Sequence, residues 1–425
     1  MEKIRKAYVK TYGCKQNFAD SEKVTGLLLT LGYIPVKTPE EADLIIFNTC
    51  AVRENAEQRV FGNVGALKKL KEDKPELVII LCGCMTQQPH MAEYFKTKFP
   101  FLDAIIGTDI LASLPSIIGA EPVSYEDVKP LREGKYSANV PIMNGCDNFC
   151  TYCVVPLVRG REVSREPASI ISEVKGLIEE GRRDILLLGQ NVNSYGKDTG
   201  TGFKELLQEL DNLDGEFIIS YMTSHPKDCK KELIDFIAES RNISRHLHLP
   251  VQSGSSRILK LMNRGYSREQ YIELAEYARN KIPEISLTTD ILVGFPGENY
   301  EDFKETLDLI EKIGFDSAYT FIYSKRKGTA AADFADPVPA EEKSAWFREL
   351  LDVQGRISER SYEKFIGKTL RVLCLGEGRT SPELLTGKSR QGIIVDFAGG
   401  DELLGKFVDI KINKALPWAL KGEII

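Results

Sequence analysis

Short runs of β-branched and aliphatic residues recur along the first third of the chain, with helical patterns between them. They read KAYVKTYG (6–13), DSEKVTGLLLTLGY (20–33), ADLIIFNTC (42–50), a polar helical run ending at Lys74, ELVIILCGC (76–84) and DAIIGT (103–108). Strand alternating with helix predicts a parallel α/β sheet. Residues 124–138 (SYEDVKPLREGKYSA) are polar, hold no sustained apolar period and carry Pro130 and Gly134, which predicts a linker. The alternation resumes from Asn139 to about Arg326, with strand candidates at RDILLLGQ, EFIISYMTS, RHLHLPVQ, ISLTTDILVGF and SAYTFIYS. Six or so β/α units predict a barrel, open or closed. A charged helical run (339–365) follows, and Gly367 to Ile425 is Gly-punctuated and β-rich, which predicts a small antiparallel β-barrel. The expected class is α/β, with domains at 1–123, 139–366 and 367–425 and the linker at 124–138.

Composition narrows the setting. The chain has 425 residues, enough for two to four domains by the usual prior, and its 42% hydrophobic and 28% charged content is that of a globular protein. No run of about 18 apolar residues offers a membrane span, and MEKIRKAYVKTYG has no apolar stretch of a secretory signal behind its basic residues. The expected compartment is the cytoplasm, with no membrane partner. A reducing cytosol argues against a disulfide framework for the nine cysteines and leaves metal binding or catalysis. The net charge of -6 shows no overall basic excess, so any nucleic-acid surface must be local.

Spacing decides the cysteine chemistry. Cys146, Cys150 and Cys153 stand in GCDNFCTYC, a CxxxCxxC pattern on a loop after the strand candidate VPIMN. Three thiolates for four irons leave one iron open to chelate S-adenosylmethionine (SAM), and an electron from the cluster can cleave its sulfonium to a 5'-deoxyadenosyl radical. A zinc site would want a fourth Cys or His close by, and none stands there. Phe149 and Tyr152 are expected to shield the cluster from water. Polar residues after later strand candidates are expected to line the SAM pocket: Gly189, Gln190 and Asn191; Ser224 and His225; Gln252 and Ser253; and Asp290.

Three further cysteines, Cys14, Cys50 and Cys84, each follow a strand candidate of the first region. Carboxyl ends of parallel strands open on one edge, so these thiols can converge although they are far apart in sequence. The bland alternative is that they are small buried residues, as Cys82, Cys229 and Cys374 are expected to be.

With both trios in view, the chain resembles the methylthiotransferases of the radical SAM superfamily over essentially its whole length. TYGCKQNFADSE, NTCAVRENAEQRV and GCMTQQ are similar to that family's three N-terminal cysteine motifs, GCDNFCTYC to its radical SAM motif, and residues 367–425 to its TRAM domain. RGREVSREP, MTSHPKD, HLHLPVQSGS and MNRGYSREQY are most similar to the branch that acts on N6-isopentenyladenosine in tRNA, whereas Lys15 is similar to the threonylcarbamoyladenosine branch. The resemblance implies two [4Fe-4S] clusters, an auxiliary one on Cys14, Cys50 and Cys84 carrying the sulfur to be delivered, and two SAM molecules per turnover. It implies a methylthio group placed on C2 of adenosine 37, beside the anticodon of a tRNA. A flavodoxin- or ferredoxin-like electron donor and a monomeric enzyme are further expectations. The base is expected to turn out of the anticodon loop, with Arg159, Arg161 and Arg165 lining the channel or holding phosphates. Residues 367–425 hold nine Lys and Arg against seven Asp and Glu, a mildly basic RNA grip whose binding should be salt-sensitive. Two alternatives keep the reaction and change the acceptor, to threonylcarbamoyladenosine in tRNA or to an aspartate of a ribosomal protein; a third is a non-catalytic iron-sulfur RNA-binding module.

Overall fold

The structure is a computed structural model that describes residues 4–51, 54–124, 127–378, 381, 383–416 and 418–425. Its contacts divide into two compact units, Met1–Glu133 with Val154–Arg161, and Gly134–Cys153 with Glu162–Ile425.

The first unit alternates β1 (Arg5–Thr11), α1 (Lys15–Thr30), β2 (Tyr33–Pro35), β3 (Leu44–Thr49), α2 (Glu54–Asp73), β4 (Val78–Gly83), α3 (Pro89–Lys98), β5 (Ala104–Ile105) and α4 (Ile110–Ile117), and it also takes in α5 (Val155–Arg159). The sheet order is β2-β1-β3-β4-β5 and every pairing is parallel. Alternate side chains of one strand serve two cores. Leu44 and Ile46 pack with Val24, Leu27 and Leu114, while Ile45 and Phe47 pack with Val60, Val64 and Phe95. A strand buried on both faces must be apolar throughout, which is why LIIFNT and VIILCG read as unbroken runs. After α4, the described residues hold no helix or strand before Ser137. This segment packs on α1: Leu131 N donates to Glu22 O (2.9 Å), and a Cβ on Gly26 would meet Lys129 O at 1.9 Å.

In the second unit β6 (Ser137–Pro141) precedes a small ribbon of β7 (Met143–Asn144) and β8 (Val163–Ser164). Then come α6 (Pro167–Glu179), β9 (Asp184–Leu188), α7 (Phe203–Asp211), β10 (Ile218–Met222), α8 (Lys231–Glu239), β11 (His246–His248), α9 (Ser256–Leu261), α10 (Arg268–Lys281), β12 (Ser286–Val293), α11 (Tyr300–Ile313) and β13 (Ser317–Ile322). Two parallel sheets, β10-β9-β6 and β11-β12-β13, meet where Ile219 bridges Ile243 and Ser224 N donates to His248 O (3.3 Å). The result is an open array of six strands with β6 and β13 at its free edges, the partial barrel that the pattern predicts. Helices cover the outer face through one large core that includes Ile219, Leu247, Leu287, Ile291 and Phe303.

The long helix α12 (Ala340–Glu363) lays Trp346 on Phe303, ring centroids 5.5 Å apart. It leads into β14 (Thr369–Glu377), β15 (Leu385–Ser389), β16 (Ile394–Phe397), β17 (Phe407–Leu416) and β18 (Ala419–Ile424), a closed barrel in the order β14-β15-β16-β18-β17. Its pairings are antiparallel save that of β16 with β18, which is parallel. Lys388 reaches from this barrel to Asp184 (2.7 Å) and Ser220 (3.0 Å) at β9 and β10, and Arg390 caps the Ser240 and Ile243 carbonyls. Among the described residues no helix is long and apolar enough to cross a membrane.

Candidate active site

The three cysteines of the first unit stand at equivalent places. Cys14 follows β1 as the residue before α1, Cys50 follows β3 and Cys84 follows β4. Cys14 is exposed, whereas Cys50 and Cys84 are buried. The loops are bound to one another by short contacts. Gly13, at φ +125°, lies so close to Cys50 that a Cβ there would come within 2.5 Å of the Cys50 Cβ and 3.0 Å of its Sγ. Asn17 donates to Thr49 O (3.0 Å) and Asn48 Oδ1 (3.2 Å), and Asn48 donates back to Asn17 O (2.9 Å) and Ser21 Oγ (3.0 Å). Cys84 N donates to Thr49 O (2.9 Å), and the Cys14 thiol lies 3.2 Å from Asn17 Oδ1. Burial pushes the Cys84 thiol up to about 11, the neighbouring Arg159 opposes this, and Cys50 and Cys14 add to it, so the three sulfurs and one guanidinium share a field. Arg159 pairs with Asp20 (2.7 Å), and Val154 and Val158 pack against Ala51 and Cys84.

The second trio lies on the loop after β7. Left-handed backbone at Gly145 (φ 79°) and Phe149 (φ 47°) coils it, and Cys153 N closes a turn on Cys150 O (2.9 Å). The loop is pinned from outside: Thr151 N donates to Met262 O (3.1 Å), Asn263 Nδ2 to Phe149 O (3.1 Å), and Lys227 Nζ to Asn148 Oδ1 (2.7 Å). Buried Arg264 points one nitrogen at the Cys150 sulfur (3.3 Å) and another at Pro250 O (2.8 Å), with Tyr266 on its Nε (3.0 Å). Burial raises the Cys146 thiol, and the nearby Cys150 adds to the shift. The Tyr152 ring packs edge-on to Phe295, whereas Phe149 is half exposed.

Between the strand ends lies a set of buried polar atoms without protein partners. Asn191 gives its amide to Asp228 (2.7 Å), which leaves Oδ1 unmatched, and the Gln190 Oε1 and Ser224 Oγ are unmatched too. His225 Nδ1 accepts from Lys227 N (3.3 Å), so the proton sits on Nε2, an unmatched donor. Burial, with Arg264 and Lys227 nearby, pushes His225 down to about 2, so it stays neutral. Unmatched buried donors and acceptors side by side suit a zwitterionic ligand, and three thiols per site suit a cluster with an open iron. Among the described residues no three His, Cys, Asp or Glu close on a single ion; each thiol of a trio would take its own iron. A side chain at Gly189 would strike Met143 (2.6 Å). Gln252 holds φ 73° and donates its N–H to Asp290 O (2.8 Å), while the Ser253 hydroxyl turns to Thr306 (3.4 Å). Asp290 lies 3.4 Å from His248 Nε2. Of the three arginines, Arg159 pairs with Asp20, Arg165 meets Pro141 O (2.7 Å), Ser169 (3.0 Å) and Glu173 (2.8 Å), and all three have contacts inside the protein. Cys82, Cys229 and Cys374 are buried in cores or against them. Sequence reasoning passed over Asn17, Asn48, Asp228 and Arg264 as site residues. The first two sit within four residues of Cys14 or Cys50, a signal within reach; Arg264 is 114 positions from Cys150 and gave none.

Comparisons with known proteins decide the family. Residues 6–107 match an uncharacterized protein family, UPF0004, residues 140–310 the radical SAM superfamily, and residues 363–425 the TRAM domain. A tRNA-2-methylthio-N(6)-dimethylallyladenosine synthase of Acetivibrio thermocellus is 46% identical over 98% of this chain and 90% of its own length. Another, of Clostridium botulinum, is 47% identical over 99% of this chain and 97% of its own. This chain belongs to the radical SAM methylthiotransferases. Like other methylthiotransferases it is a transferase, with [4Fe-4S] and SAM as cofactors. Among solved structures, the radical SAM methyltransferase TsrM of Kitasatospora setae aligns with TM-score 0.56 at 16% identity, over 78% of this chain and 77% of that one. The cobalamin-dependent radical SAM enzyme OxsB aligns with TM-score 0.55 at 12% identity, over 83% and 56%. Both share the fold of the methylthiotransferase described here.

Proposed function

We propose that this methylthiotransferase places a methylthio group on C2 of N6-isopentenyladenosine at position 37 of tRNA, with two [4Fe-4S] clusters and two SAM molecules per turnover. The observation that carries this is the chain's similarity along its length to synthases of that name, supported by Cys14, Cys50 and Cys84 on loops of which the first two are joined by hydrogen bonds and by Cys146, Cys150 and Cys153 on one loop. When bound, the clusters and SAM supply a methyl group, a sulfur and a carbon-centred radical, which an unactivated C2–H requires. The protein's own residues hold and orient. Cys146, Cys150 and Cys153 would take one cluster, with Phe149 and Tyr152 at its edge and Arg264 offsetting thiolate charge. Cys14, Cys50 and Cys84 would take the other, with Arg159 in the same role.

Asn191 Oδ1 and the His225 Nε2–H offer an acceptor and a donor to the amino acid end of SAM. Ser224, Gln190 and the Gly189 backbone lie on the same edge, and Gln252, Ser253 and Asp290 close it from β11 and β12. His225 is neutral at every working pH and so acts as a fixed donor, not as an acid or base. Arg159, Arg161 and Arg165 would line the channel or hold RNA phosphates. In this reading residues 1–123 carry the sulfur-delivering site, 139–366 the SAM site and 367–425 the RNA grip, with 124–138 linking them. The setting is the cytoplasm, where the enzyme acts as a monomer on the anticodon stem-loop and takes electrons from a flavodoxin- or ferredoxin-like donor.

The test is incubation of the anaerobically reconstituted protein with SAM, a reductant and tRNA carrying N6-isopentenyladenosine, with the digested nucleosides read by mass spectrometry. A 2-methylthio-isopentenyladenosine peak is expected. Formation of 5'-deoxyadenosine without that peak would keep the radical chemistry and move the acceptor to threonylcarbamoyladenosine.

A further inference from the structure

The inner face of the edge strand β13 is aromatic and open. Ala318 packs against the main core, so its neighbours Tyr319 and Phe321 point to the opposite, concave face of the strand array. There they are 52% and 43% exposed, although large apolar side chains of a barrel are normally covered. Register aligns Tyr319 with Asp290 and Phe321 with Leu292 of β12. The Tyr319 ring lies 5.7 Å from that of His248, edge to face, and His248 is held by Thr288 (3.0 Å) and Asp290 (3.4 Å). An aromatic face thus adjoins a carboxylate and an imidazole, on a free edge of the open array, and it continues the polar set at Asp290 already described.

We propose that Tyr319 and Phe321 form the stacking face for the purine ring of the acceptor adenosine, and that this face selects its N6 substituent. The proposal rests on the acceptor being an N6-isopentenylated base. Unstacking leaves a purine with two bare π faces, and an aromatic side chain restores one of them. An N6-isopentenyl group keeps one N–H, which the Asp290 carboxylate can accept, and its apolar tail matches Phe321 and Leu292. A threonylcarbamoyl group would instead bring its own carboxylate toward Asp290, and like charges at short range repel.

Dissociation constants decide the matter, measured on the reconstituted iron-sulfur protein for two stem-loop RNAs, one with N6-isopentenyladenosine at position 37 and one with plain adenosine, and separately for SAM. Tyr319→Ala is expected to weaken both RNAs about 5- to 150-fold, the range of one lost stack, while Tyr319→Phe stays within about twofold of wild type. Phe321→Ala is expected to erase the preference for the isopentenylated RNA, and SAM binding is expected to hold in every variant. An equal loss of SAM affinity would give the face to the adenine of SAM and overturn the proposal, as would unchanged RNA binding in Tyr319→Ala and Phe321→Ala. A wild-type protein that neither prefers nor modifies the isopentenylated RNA would overturn the acceptor reading itself; a wild-type preference that survives both alanine variants overturns only the stacking face.

Discussion

Gly13 shows how a residue without a side chain can set the approach of two cysteine loops. Its φ of +125° and the 2.5 Å approach to Cys50 leave no room for even a methyl group. Gly13→Ala should cost about 1 to 3 kcal/mol in backbone strain and spread the first two cysteine loops, so iron per chain should fall while the second trio keeps its share; iron analysis with thermal unfolding checks both. Glu298 is a second single-residue lever. It is buried, accepts from Gly294 N and Phe295 N, and burial above all pushes its carboxyl up to about 7. The folded chain therefore keeps a proton that the unfolded chain releases near 4.5, and the stability this lends is lost as pH rises through about 7. Roughly 1 kcal/mol of that loss falls between pH 6.5 and 8.5, a window above the one in which buried His225 and half-buried His246, both held neutral, disfavour acid. Glu298→Gln keeps an acceptor for the two amides and should flatten the fall, seen as denaturation midpoints that no longer decline across the window. Residues of this kind divide sharply in legibility. That Cys14, Cys50 and Cys84 each follow a strand could be read, because an apolar run precedes each of them. Arg159 could be read as a charge but not as the partner of Asp20, and Arg264 not at all, because both contacts join chain segments far apart in sequence.

At the scale of elements, α11 is started by a reciprocal cap: Asn299 accepts from Asp302 N (3.1 Å) and Asp302 accepts from Asn299 N (3.0 Å). Asp302 also holds Ser255 (2.8 Å) and Arg257, so the cap steadies the loop that carries Gln252 and Ser253. Asn299→Ala should cost about 1 kcal/mol in chemical denaturation, and weaken SAM binding a few-fold through that loop. The longer strands of the parallel sheets were plain in the sequence, since both kinds here, buried on two faces or alternating, leave their own hydrophobic pattern, whereas the short β2 (Tyr33–Pro35) and β8 (Val163–Ser164) were not read. The parallel pairing of β16 with β18 was not, because alternation says which face a residue takes and nothing about the direction of the strand beside it.

At the scale of the molecule, the small barrel is fastened to the strand array by a nearly buried charge. Lys388 and Asp184 are only 17% and 14% exposed, and the lysine also meets Ser220. Removing one partner strands the other, so Lys388→Ala should cost roughly 2 to 4 kcal/mol, whereas the double change Lys388→Met with Asp184→Leu should recover most of it. Calorimetry of the three proteins checks this. If the single variant melts like wild type, the anchor lies in the Arg390 contacts.

Val154–Arg161 is part of the first unit although it directly follows Cys153, which belongs to the second. In genetic terms, neither unit is a cassette. A gene cut after codon 133 would encode the sheet and its three cysteines but not α5, and so would lose the valines beside Cys84 and the guanidinium opposite Asp20. No single breakpoint along the gene trades one unit for a relative's version and leaves the other whole.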